Sequence, residues 1–316
     1  MKLCIQEEHL HGEEQEIESS KLTTSGSYYF HILAVDNAGN SREYISEAVT
    51  IKNGYAISTP QDFQNMGSNL SASYYVANDI DMADFDFKCI SSGRFSGKLD
   101  GQGHTISNLT ITDGGIFKYI INSTFENILF KNVNLSGGGG VLALQQDNSG
   151  TSTIRKVGIV GSVDSNDTNT SFYTGSFIGE CSGYQVNITF ENCYARVDVA
   201  KTRSGCYDKG GFVGNESSGA NITVINSYWY GSTGGTYRTG PFRGGSTASN
   251  DNQSTGGITL TNSFYNKTLF TLSVPEVTAG KGLTTAEFTN SSNFTGWDFD
   301  NTWYMSDAGY PELKFN

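Results

Sequence analysis

Proline, charge and long apolar runs are all scarce in this chain of 316 residues. Its 4 prolines exclude a collagen-like chain or a proline-rich linker. Charged residues make up 16%, against about a quarter in an average domain, and the net charge of -12 argues against nucleic acid and anionic membranes as partners. No run approaches the about 18 apolar residues of a membrane-spanning helix, and the N-terminus lacks the apolar core of a secretory signal.

Cysteine and histidine are also few. The 5 cysteines are odd in number and form no Cys-x-x-Cys pair, which predicts buried thiols, with a Cys181–Cys193 disulfide as the alternative. No His-Glu-x-x-His motif occurs among the 4 histidines, which excludes that type of zinc site. His104 is expected to bond backbone at a corner, and His9 and His11 to lie in a solvated stretch. We therefore expect no cofactor, with Ca²⁺ as the one candidate ion.

Glycine is abundant, with 38 residues, and part of it recurs in Gly-x-Phe-x-Gly units. These units begin at Gly175, Gly210 and Gly240, so they are 35 and 30 residues apart. Each is followed by short apolar segments that alternate with period two, which predicts strands. Two or three strands per repeat predict one coil of a parallel β-solenoid, because a propeller blade needs four.

The solenoid prediction specifies where several side chains lie. Phe177, Phe212 and Phe242 should point inwards and stack on one another. The repeats end in Asn-(Ser/Cys)-aromatic, and the asparagines should sit at equivalent corners and form a hydrogen-bonded ladder. The opening segment and Trp297–Phe315 should cap the two ends, because open ends invite edge pairing.

Residues 1–52 differ from the repeats. A strand around residues 26–36, a turn at Asp36–Asn40 and a second strand ending at Ile51 resemble the last hairpin of a fibronectin type III or bacterial immunoglobulin-like module. About 50 residues is half of such a sandwich. The half-module and the missing signal together predict a piece of a longer secreted protein.

The remaining residues, about 55–316, resemble bacterial surface proteins with the GLUG motif, which form right-handed parallel β-helices. The matching segments are Ile57–Phe63, Tyr75–Met82, Phe95–Leu109, Gly115–Phe117, the Gly-x-Phe-x-Gly units, Gly282–Glu287, Gly296–Phe299, Trp303 and Tyr310–Leu313. Leu142 and Arg243 depart from the pattern. The resemblance implies an all-β chain: a right-handed parallel β-helix over 53–316 with capping segments at both ends, preceded by part of a β-sandwich over 1–52. It also implies a secreted or cell-surface location.

Two groups of residues are candidate sites. The first is a set of carboxylates near the start of the solenoid, whose oxygens are suitable ligands for Ca²⁺ but equally serve turn hydrogen bonds; its members are Asp79, Asp81, Asp84 and Asp86. The second is aromatic. If Tyr228 fills the core, Trp229 points outwards and, with Tyr230 or Tyr237, could stack on a sugar or a partner protein. Packing in the core or at a corner is the interpretation that we favour for this aromatic run.

The sequence shows no catalytic constellation. The repeats place Glu191 and Asp198 on one coil with no acid at the related positions of the next, and the arginines are isolated in sequence. We therefore expect a non-catalytic, adhesin-like surface module that binds a glycan or partner protein or acts as a spacer. The alternatives are a polysaccharide lyase or glycoside hydrolase, and an accessory N-terminal region of a large surface protease. Close carboxylates in a cleft, or a carboxylate set with an arginine, would favour an enzyme.

Overall fold

The structure, a computed structural model, describes residues 2–3, 15–16, 26–29, 31–47, 49–147, 149–164, 173–183, 185–200, 208–217, 219–233, 239–245, 257–272 and 280–315. The chain divides into two compact units, Met1–Tyr55 and Ala56–Asn316. Five residues singled out by the sequence lie outside the described ranges: Cys4, His9, His11, Cys206 and Tyr237.

The described part of the first unit is antiparallel. Its strands are β1 (Lys2–Leu3), β2 (Gln15–Glu16), β3 (Gly26–Tyr28), β4 (His31–Val35), β5 (Ser41–Ile45) and β6 (Val49–Ile51). Pairs form between β1 and β2, β3 and β6, and β4 and β5. Asp36 closes the β4–β5 turn, because its Oδ1 accepts the backbone N–H groups of Ala38 and Asn40 at 2.8 and 2.9 Å. The predicted hairpin is present, and its membership of a sandwich stays a prediction.

The second unit contains short strands and two short α-helices. Its strands are β7 (Tyr55–Ile57), β8 (Ser73–Val76), β9 (Ile80–Asp81), β10 (Ile90–Phe95), β11 (Lys98–Asp100), β12 (Thr105–Ser107), β13 (Thr110–Ile111), β14 (Phe117–Ile120), β15 (Thr124–Leu135), β16 (Ala143–Asp147), β17 (Gly150–Asp164), β18 (Thr174–Gly175), β19 (Ile178–Ser182), β20 (Val186–Glu191), β21 (Tyr194–Ala200), β22 (Lys209–Gly210), β23 (Val213–Ser217), β24 (Asn221–Ile225), β25 (Tyr228–Trp229), β26 (Thr239–Gly240), β27 (Gly257–Thr261), β28 (Phe264–Asn266), β29 (Lys281–Leu283), β30 (Trp303–Met305) and β31 (Pro311–Leu313). The helices are α1 (Pro60–Asn65) and α2 (Thr285–Phe288), and 3-10 turns cover Met66–Ser68 and Ser291–Asn293.

Strands from successive repeats pair in parallel and in register. In the described part of the chain, β10, β14, β16, β19 and β23 form a five-stranded sheet, called the short sheet below. A fifteen-stranded sheet, the long sheet, contains β15, β17, β20, β21, β24, β25, β27 and β28 with their neighbours. Successive coils of the chain therefore stack their strands in parallel on both sheets, which is the topology of a parallel β-helix. The all-β, parallel fold predicted from the repeats is correct.

The interior is a continuous stack of apolar side chains. Phe177, Phe212 and Phe242 are completely buried, with ring centroids 4.6 Å apart for the first pair and 5.0 Å for the second. The predicted phenylalanine stack is confirmed. Truncation of any one of them to Ala is expected to cost about 3–5 kcal/mol.

The corners between strands use a left-handed backbone. Asn192, Asn226 and Asn262 all have φ of 45–52°, a conformation that asparagine tolerates better than most residues. Asn262 Nδ2 donates to Asn226 Oδ1 at 3.2 Å, so the predicted ladder is present between these two coils. Lys156 occupies the same corner one coil before Asn192, with φ of 50°.

The irregular coil at Arg243 contains a buried ion pair. Arg243 bridges to Val213 of the preceding coil, and its Nη1 lies 2.7 Å from Glu216 Oε2. Glu216 in turn lies in register with the buried Cys181. The departure from the repeat therefore involves two residues together. The acid Glu216 and the base Arg243 replace two apolar side chains and form an ion pair with each other. Leu142, the other departure, is completely buried in the core.

Helix α1 covers core residues at the first coil. Thr59 caps it in a reciprocal capping box with Asp62, and its first turn begins with Pro60, as helix starts allow. Phe63 and Met66 are fully buried within the main core.

The C-terminal segment, residues 284–315, does not cap the end of the solenoid, so that part of the prediction is wrong. It runs along the outside of the long sheet and is called the strap below. Trp297 Nε1 donates to Asn262 O at 2.7 Å, Tyr228 Oη to Pro311 O at 2.7 Å, and Trp303 Nε1 to Asn192 Oδ1 at 3.3 Å. Because these partners belong to three successive coils, the strap runs along the stacking direction, on the side of the solenoid.

Candidate functional site

Trp229 faces inwards, which agrees with the core packing favoured from the sequence and not with the outward orientation that a ligand-binding role requires. It is completely buried in the main core, and its Nε1 donates to Val197 O at 3.1 Å. Tyr228 and Trp229 face opposite sides of their strand, as alternation requires, and Trp229 is the one that faces the main core. Trp229 lies in register with Ala195 of the previous coil. Gly211 lies against the indole ring, and a Cβ atom at this position would come within 2.5 Å of the ring. These two small residues leave the volume that the indole fills.

Tyr228 faces outwards but is buried as well. It stacks on Tyr194 with ring centroids 5.3 Å apart and planes 5° apart. The Trp303 ring of the strap covers both tyrosine rings. Its centroid lies 6.1 Å from that of Tyr228 and 6.2 Å from that of Tyr194. Tyr230 is half-buried and packs edge-on against Phe288 of the strap, with ring centroids 5.1 Å apart. The aromatic run therefore fixes the strap rather than offering an open platform.

Asp79 and Asp81, two of the four acidic residues near the start, make hydrogen bonds to the next coil. Asp79 accepts from the Thr105 backbone N–H at 2.9 Å, and this bond is the main reason that its pKa is lowered. Asp81 accepts from Asn108 Nδ2 at 2.7 Å, which likewise lowers its pKa. Asp86 pairs with Lys88, and Asp84 is exposed. Within the described ranges, no set of three or more His, Cys, Asp or Glu side chains converges as metal ligands.

The described cysteines are free thiols, so Cys181 and Cys193 are not paired. Both are completely buried. Burial raises the pKa of Cys193 to about 12 and that of Cys89 to about 11. Thiols held in the protonated form are poor nucleophiles, which fits the prediction of buried structural cysteines.

Charged side chains on the outer face of the long sheet neutralise one another. Asp100, Glu126 and Arg155 stand in register on three successive coils. Glu126 accepts from both Arg155 and Lys98, and Lys98 Nζ also lies 3.2 Å from Asp100. Burial lowers the pKa of Lys98, but its bonds to the two carboxylates outweigh this and raise it. A lysine held protonated cannot act as the base of a lyase.

The outer face of the short sheet carries a different row of side chains. Consecutive strands place five polar or aromatic residues in register in one column: Arg94, Tyr119, Gln145, Glu180 and Asn215. The Arg94 guanidinium lies 5.4 Å from the centre of the Tyr119 ring. In the order of the strands, the column runs from a cation through an aromatic ring to hydrogen-bonding groups.

A second column runs beside the first. Asp147, Ser182 and Ser217 stand in register two residues further along their strands. Arg94 grips Asp147 through two hydrogen bonds, Nε to Oδ1 at 2.8 Å and Nη2 to Oδ2 at 2.6 Å. Gln145 Nε2 donates to Ser182 Oγ at 2.7 Å. The two columns are therefore linked into one polar face.

Glu180 is the most unusual group on this face. Burial raises its pKa, and the negative charge of Asp147 acts in the same direction, whereas hydrogen bonds from Ser217 and Asn215 oppose both. Those bonds are 3.2 and 3.4 Å long. Asn215 is 2% exposed, and its Oδ1 has no hydrogen-bond partner in the described part of the chain. A buried acceptor without a donor therefore lies beside a carboxyl group that tends to hold its proton.

Asp147 and Glu180 lie on adjacent strands, diagonally across the sheet. Strands are about 4.8 Å apart and two residues span about 6.8 Å, so the diagonal between the Cα atoms of the two residues is about 8 Å. Sequence reasoning missed this pair, because the two residues are 33 positions apart and belong to different repeats. Aligning Leu142 with Phe177 gives the register, and counting five and three residues onward then locates both acids.

A cleft of about 470 Å³ lies elsewhere, beside the last strands of the long sheet. It is lined by Ile258, Leu260, Phe264, Lys281 and Thr295 with their neighbours, and the lining residues in the described ranges include no carboxylate.

Comparison with known proteins finds partial similarity. No family model matches the chain, so the GLUG resemblance remains a prediction from the motifs. Halomucin of Haloquadratum walsbyi is 27% identical over 153 residues, which is 46% of this chain and 2% of halomucin. A solved structure titled IgA1 Protease is similar with a TM-score of 0.47 and 15% identity, covering 78% of this chain and 22% of that one. The chain thus spans a small part of either protein. No helix in the described residues is long and apolar enough to cross a membrane.

Proposed function

We propose that this chain is an interaction module of a secreted or cell-surface protein and that it binds a neutral polysaccharide across the outer face of the short sheet. The observation that carries the proposal is the column from Arg94 to Asn215, with its neighbouring column from Asp147 to Ser217. Together they supply guanidinium, amide, hydroxyl and carboxylate groups on a rigid parallel sheet. Sugar hydroxyls both donate and accept hydrogen bonds, so they match such a mixed set.

The other faces are less suited to this task. The strap buries Tyr228 and its stacked partner Tyr194 on the long sheet, and the charges of Asp100, Glu126 and Arg155 are satisfied by one another and by Lys98. Water also reaches the short-sheet face, where the Arg94 side chain is 43% exposed and that of Asp147 is 20% exposed.

The charge of the molecule limits the class of polysaccharide that we expect it to bind. A net charge of -12 repels polyanions such as uronic-acid polymers. A long sheet surface suits a polymer better than a small sugar, because many weak contacts to one chain add through effective concentration. The ligand we propose is therefore an uncharged polysaccharide.

The finer features follow from the sequence resemblance. We propose that the solenoid is right-handed, as parallel crossover connections almost always are. Residues 1–52 are proposed to be part of a sandwich module, and the whole chain part of a longer adhesin-like protein. The GLUG-type motifs are the support for the surface location.

The test is a glycan array followed by affinity measurements on the polysaccharide that binds. Replacement of Tyr119 by Ala removes the ring that packs against Arg94 and should weaken binding about 10-fold, as expected for an aromatic contact of about 1.5 kcal/mol. The matched control is Tyr304→Ala, because Tyr304 is a 41% exposed tyrosine of the strap. Binding that falls with Tyr304→Ala and not with Tyr119→Ala would place the ligand elsewhere, and an array without any hit would contradict the proposal.

A further inference from the structure

We propose that Asn69 and Asn290 are acceptor sites for N-linked glycosylation of the folded protein. This inference rests on the proposed secreted or cell-surface location, because oligosaccharyltransferases act on exported chains. The sequence contains 13 Asn-x-Ser/Thr sequons, the acceptor motif of this modification. Three of their asparagines, Asn166, Asn169 and Asn252, lie outside the described ranges, which leaves 10. Among these 10, the two proposed sites combine exposure, a free amide nitrogen and a position outside the sheets.

Both sites lie in turns rather than in strands. Asn69 directly follows the first 3-10 turn and Asn290 directly precedes the second, and both have an extended backbone, with φ of -146° and -118°. The two asparagines are exposed, and so are the serines two residues further on, Ser71 and Ser292. An enzyme can therefore reach the whole sequon without separating two strands.

The two sites share one side-chain geometry. Asn69 Oδ1 accepts the backbone N–H of Ser71 at 3.3 Å and its Oγ–H at 3.1 Å. Asn290 Oδ1 accepts the same two groups of Ser292 at 3.0 and 2.7 Å. Within the described ranges, the Nδ2 atoms of the two asparagines donate no hydrogen bond. The amide oxygen is thus engaged at both sites, and the nitrogen that receives a glycan is free.

This geometry suits the transfer of a glycan. The co-reactant is a lipid-linked glycan, in which the anomeric carbon of the first sugar is bonded to a phosphate oxygen. Asparagine Nδ2 forms a new bond to that carbon, the carbon–oxygen bond breaks, and the lipid phosphate leaves with the electron pair. One Nδ2 proton passes to a carboxylate of the transferase. The two donors on Oδ1 stabilise the negative charge that the amide gains as it loses this proton.

The other described sequons hold their asparagines in structural contacts. Nδ2 already donates a hydrogen bond in six of them: Asn108, Asn187, Asn215, Asn221, Asn266 and Asn293. Asn134 lies within β15, which pairs with strands on both sides. The sequon of Asn122 ends at Thr124, the first residue of the same strand. Glycosylation at these eight positions requires broken hydrogen bonds or separated strands.

The experiment presents the folded full chain, made in a host without N-glycosylation, to a single-subunit oligosaccharyltransferase that requires only Asn-x-Ser/Thr, together with its lipid-linked glycan. Mass spectrometry of the glycopeptides locates the glycans. Asn69 and Asn290 should be modified at least about 10-fold more than Asn187 or Asn221, because a structural hydrogen bond of about 1.4 kcal/mol has to break at the latter two.

Serine variants test the geometry at each site. Ser71→Ala and Ser292→Ala should each lower modification at their own site by at least about 10-fold and leave the other site unchanged. The matched controls, Ser71→Thr and Ser292→Thr, keep the hydroxyl group and should keep the glycan. Peptides that contain the 10 sequons, cut from the same chain, should all be accepted, since they lack the fold that makes the selection.

The outcomes bear on the acceptor sites alone. Acceptance of the Asn69 and Asn290 peptides without modification of the folded chain would overturn the proposal, and so would equal modification of Asn187 or Asn221 in that chain. Full modification in a Ser→Ala variant would contradict the assigned geometry. Polysaccharide binding is measured separately on the array, so a glycosylated chain that binds no polysaccharide would refute the binding role and leave the acceptor sites intact.

Discussion

The two sheets are both built from parallel strands of successive coils, but their outer faces are covered to different extents. On the long sheet the outward Tyr194 and Tyr228 are covered by the strap, and the outward charges form ion pairs with one another. On the short sheet the outward column from Arg94 to Glu180 remains partly open to water. The repeat therefore determines which residues face outwards, whereas a distant segment determines which outward face is available for binding.

The largest loss of stability should come from a substitution in the strap, which covers the long sheet. Trp303 is fully buried although it lies outside the solenoid, and its ring stacks 4.2 Å from that of Trp297. Trp303→Ala should lower the free energy of unfolding by about 4 kcal/mol, because it leaves a large cavity. Chemical denaturation measures this change. Tyr304→Ala is the control, with an expected loss below about 1 kcal/mol. A loss below about 1 kcal/mol for Trp303→Ala would show that the strap is not part of the core.

The second effect tests the interior behind the short sheet. Glu216→Ala should cost about 3 kcal/mol, because it leaves Arg243 buried without that partner. The double variant Glu216→Val with Arg243→Val restores apolar side chains and should recover most of the loss. Denaturation of the wild type and both variants gives the answer. A double variant less stable than Glu216→Ala alone would mean that the pair has a structural role that apolar packing cannot replace.

A smaller effect concerns one corner of the long sheet. Lys156 has a left-handed backbone at a corner where the next coils use asparagine. Lys156→Asn should raise the free energy of unfolding by about 0.5–1 kcal/mol, because asparagine adopts this conformation with less strain. The melting temperature reports the change. Asn226→Lys is the reverse control and should lower stability, so a gain in that variant would contradict the corner argument.

The smallest expected effects are changes of stability with pH. These changes have opposite signs for Asp298 in the strap and for Glu180 on the short sheet. Backbone and side-chain hydrogen bonds from Asn301 lower the pKa of Asp298 in the strap. The stability that this group provides is therefore present above the ordinary value of 3.8 and is lost as the pH falls through the lowered pKa. Asp298→Asn should reduce the acid sensitivity of the tryptophan fluorescence.

Glu180 should respond in the opposite direction. Because burial raises its pKa, its ionisation destabilises the fold above that pKa, and the stability is greatest below the ordinary value of 4.5. Glu180→Gln should therefore raise the melting temperature at pH 7 and have little effect below pH 4. Equal effects at both pH values would contradict the argument for a protonated Glu180.

Much of the fold was predictable from the sequence, because its determinants repeat. The Gly-x-Phe-x-Gly units specify the inward stack of Phe177 and Phe212, and the asparagines at Asn226 and Asn262 mark corners that need a left-handed backbone. These rules act within one coil and are copied in the next, so local pattern and global fold agree.

The orientation of Trp229 and the role of the strap were not predictable in the same way. Alternation fixes that Tyr228 and Trp229 face opposite sides, but not which one faces inwards. That choice depends on the small residues Ala195 and Gly211 and on the cover that Trp303 provides, which are distant in sequence. The pair of Asp147 and Glu180 was missed for a related reason, since the exact register of two unequal repeats is needed to bring them together.

Hydroxyl-radical footprinting read by mass spectrometry tests the contrast between the two faces most directly. In the free protein, Tyr119 should be modified, whereas Tyr194, Tyr228 and Trp303 should be protected. Addition of the polysaccharide found on the array should protect Tyr119 and leave the other three unchanged. Modification of Tyr228 and Trp303 in the free protein, or polysaccharide protection there rather than at Tyr119, would contradict the account.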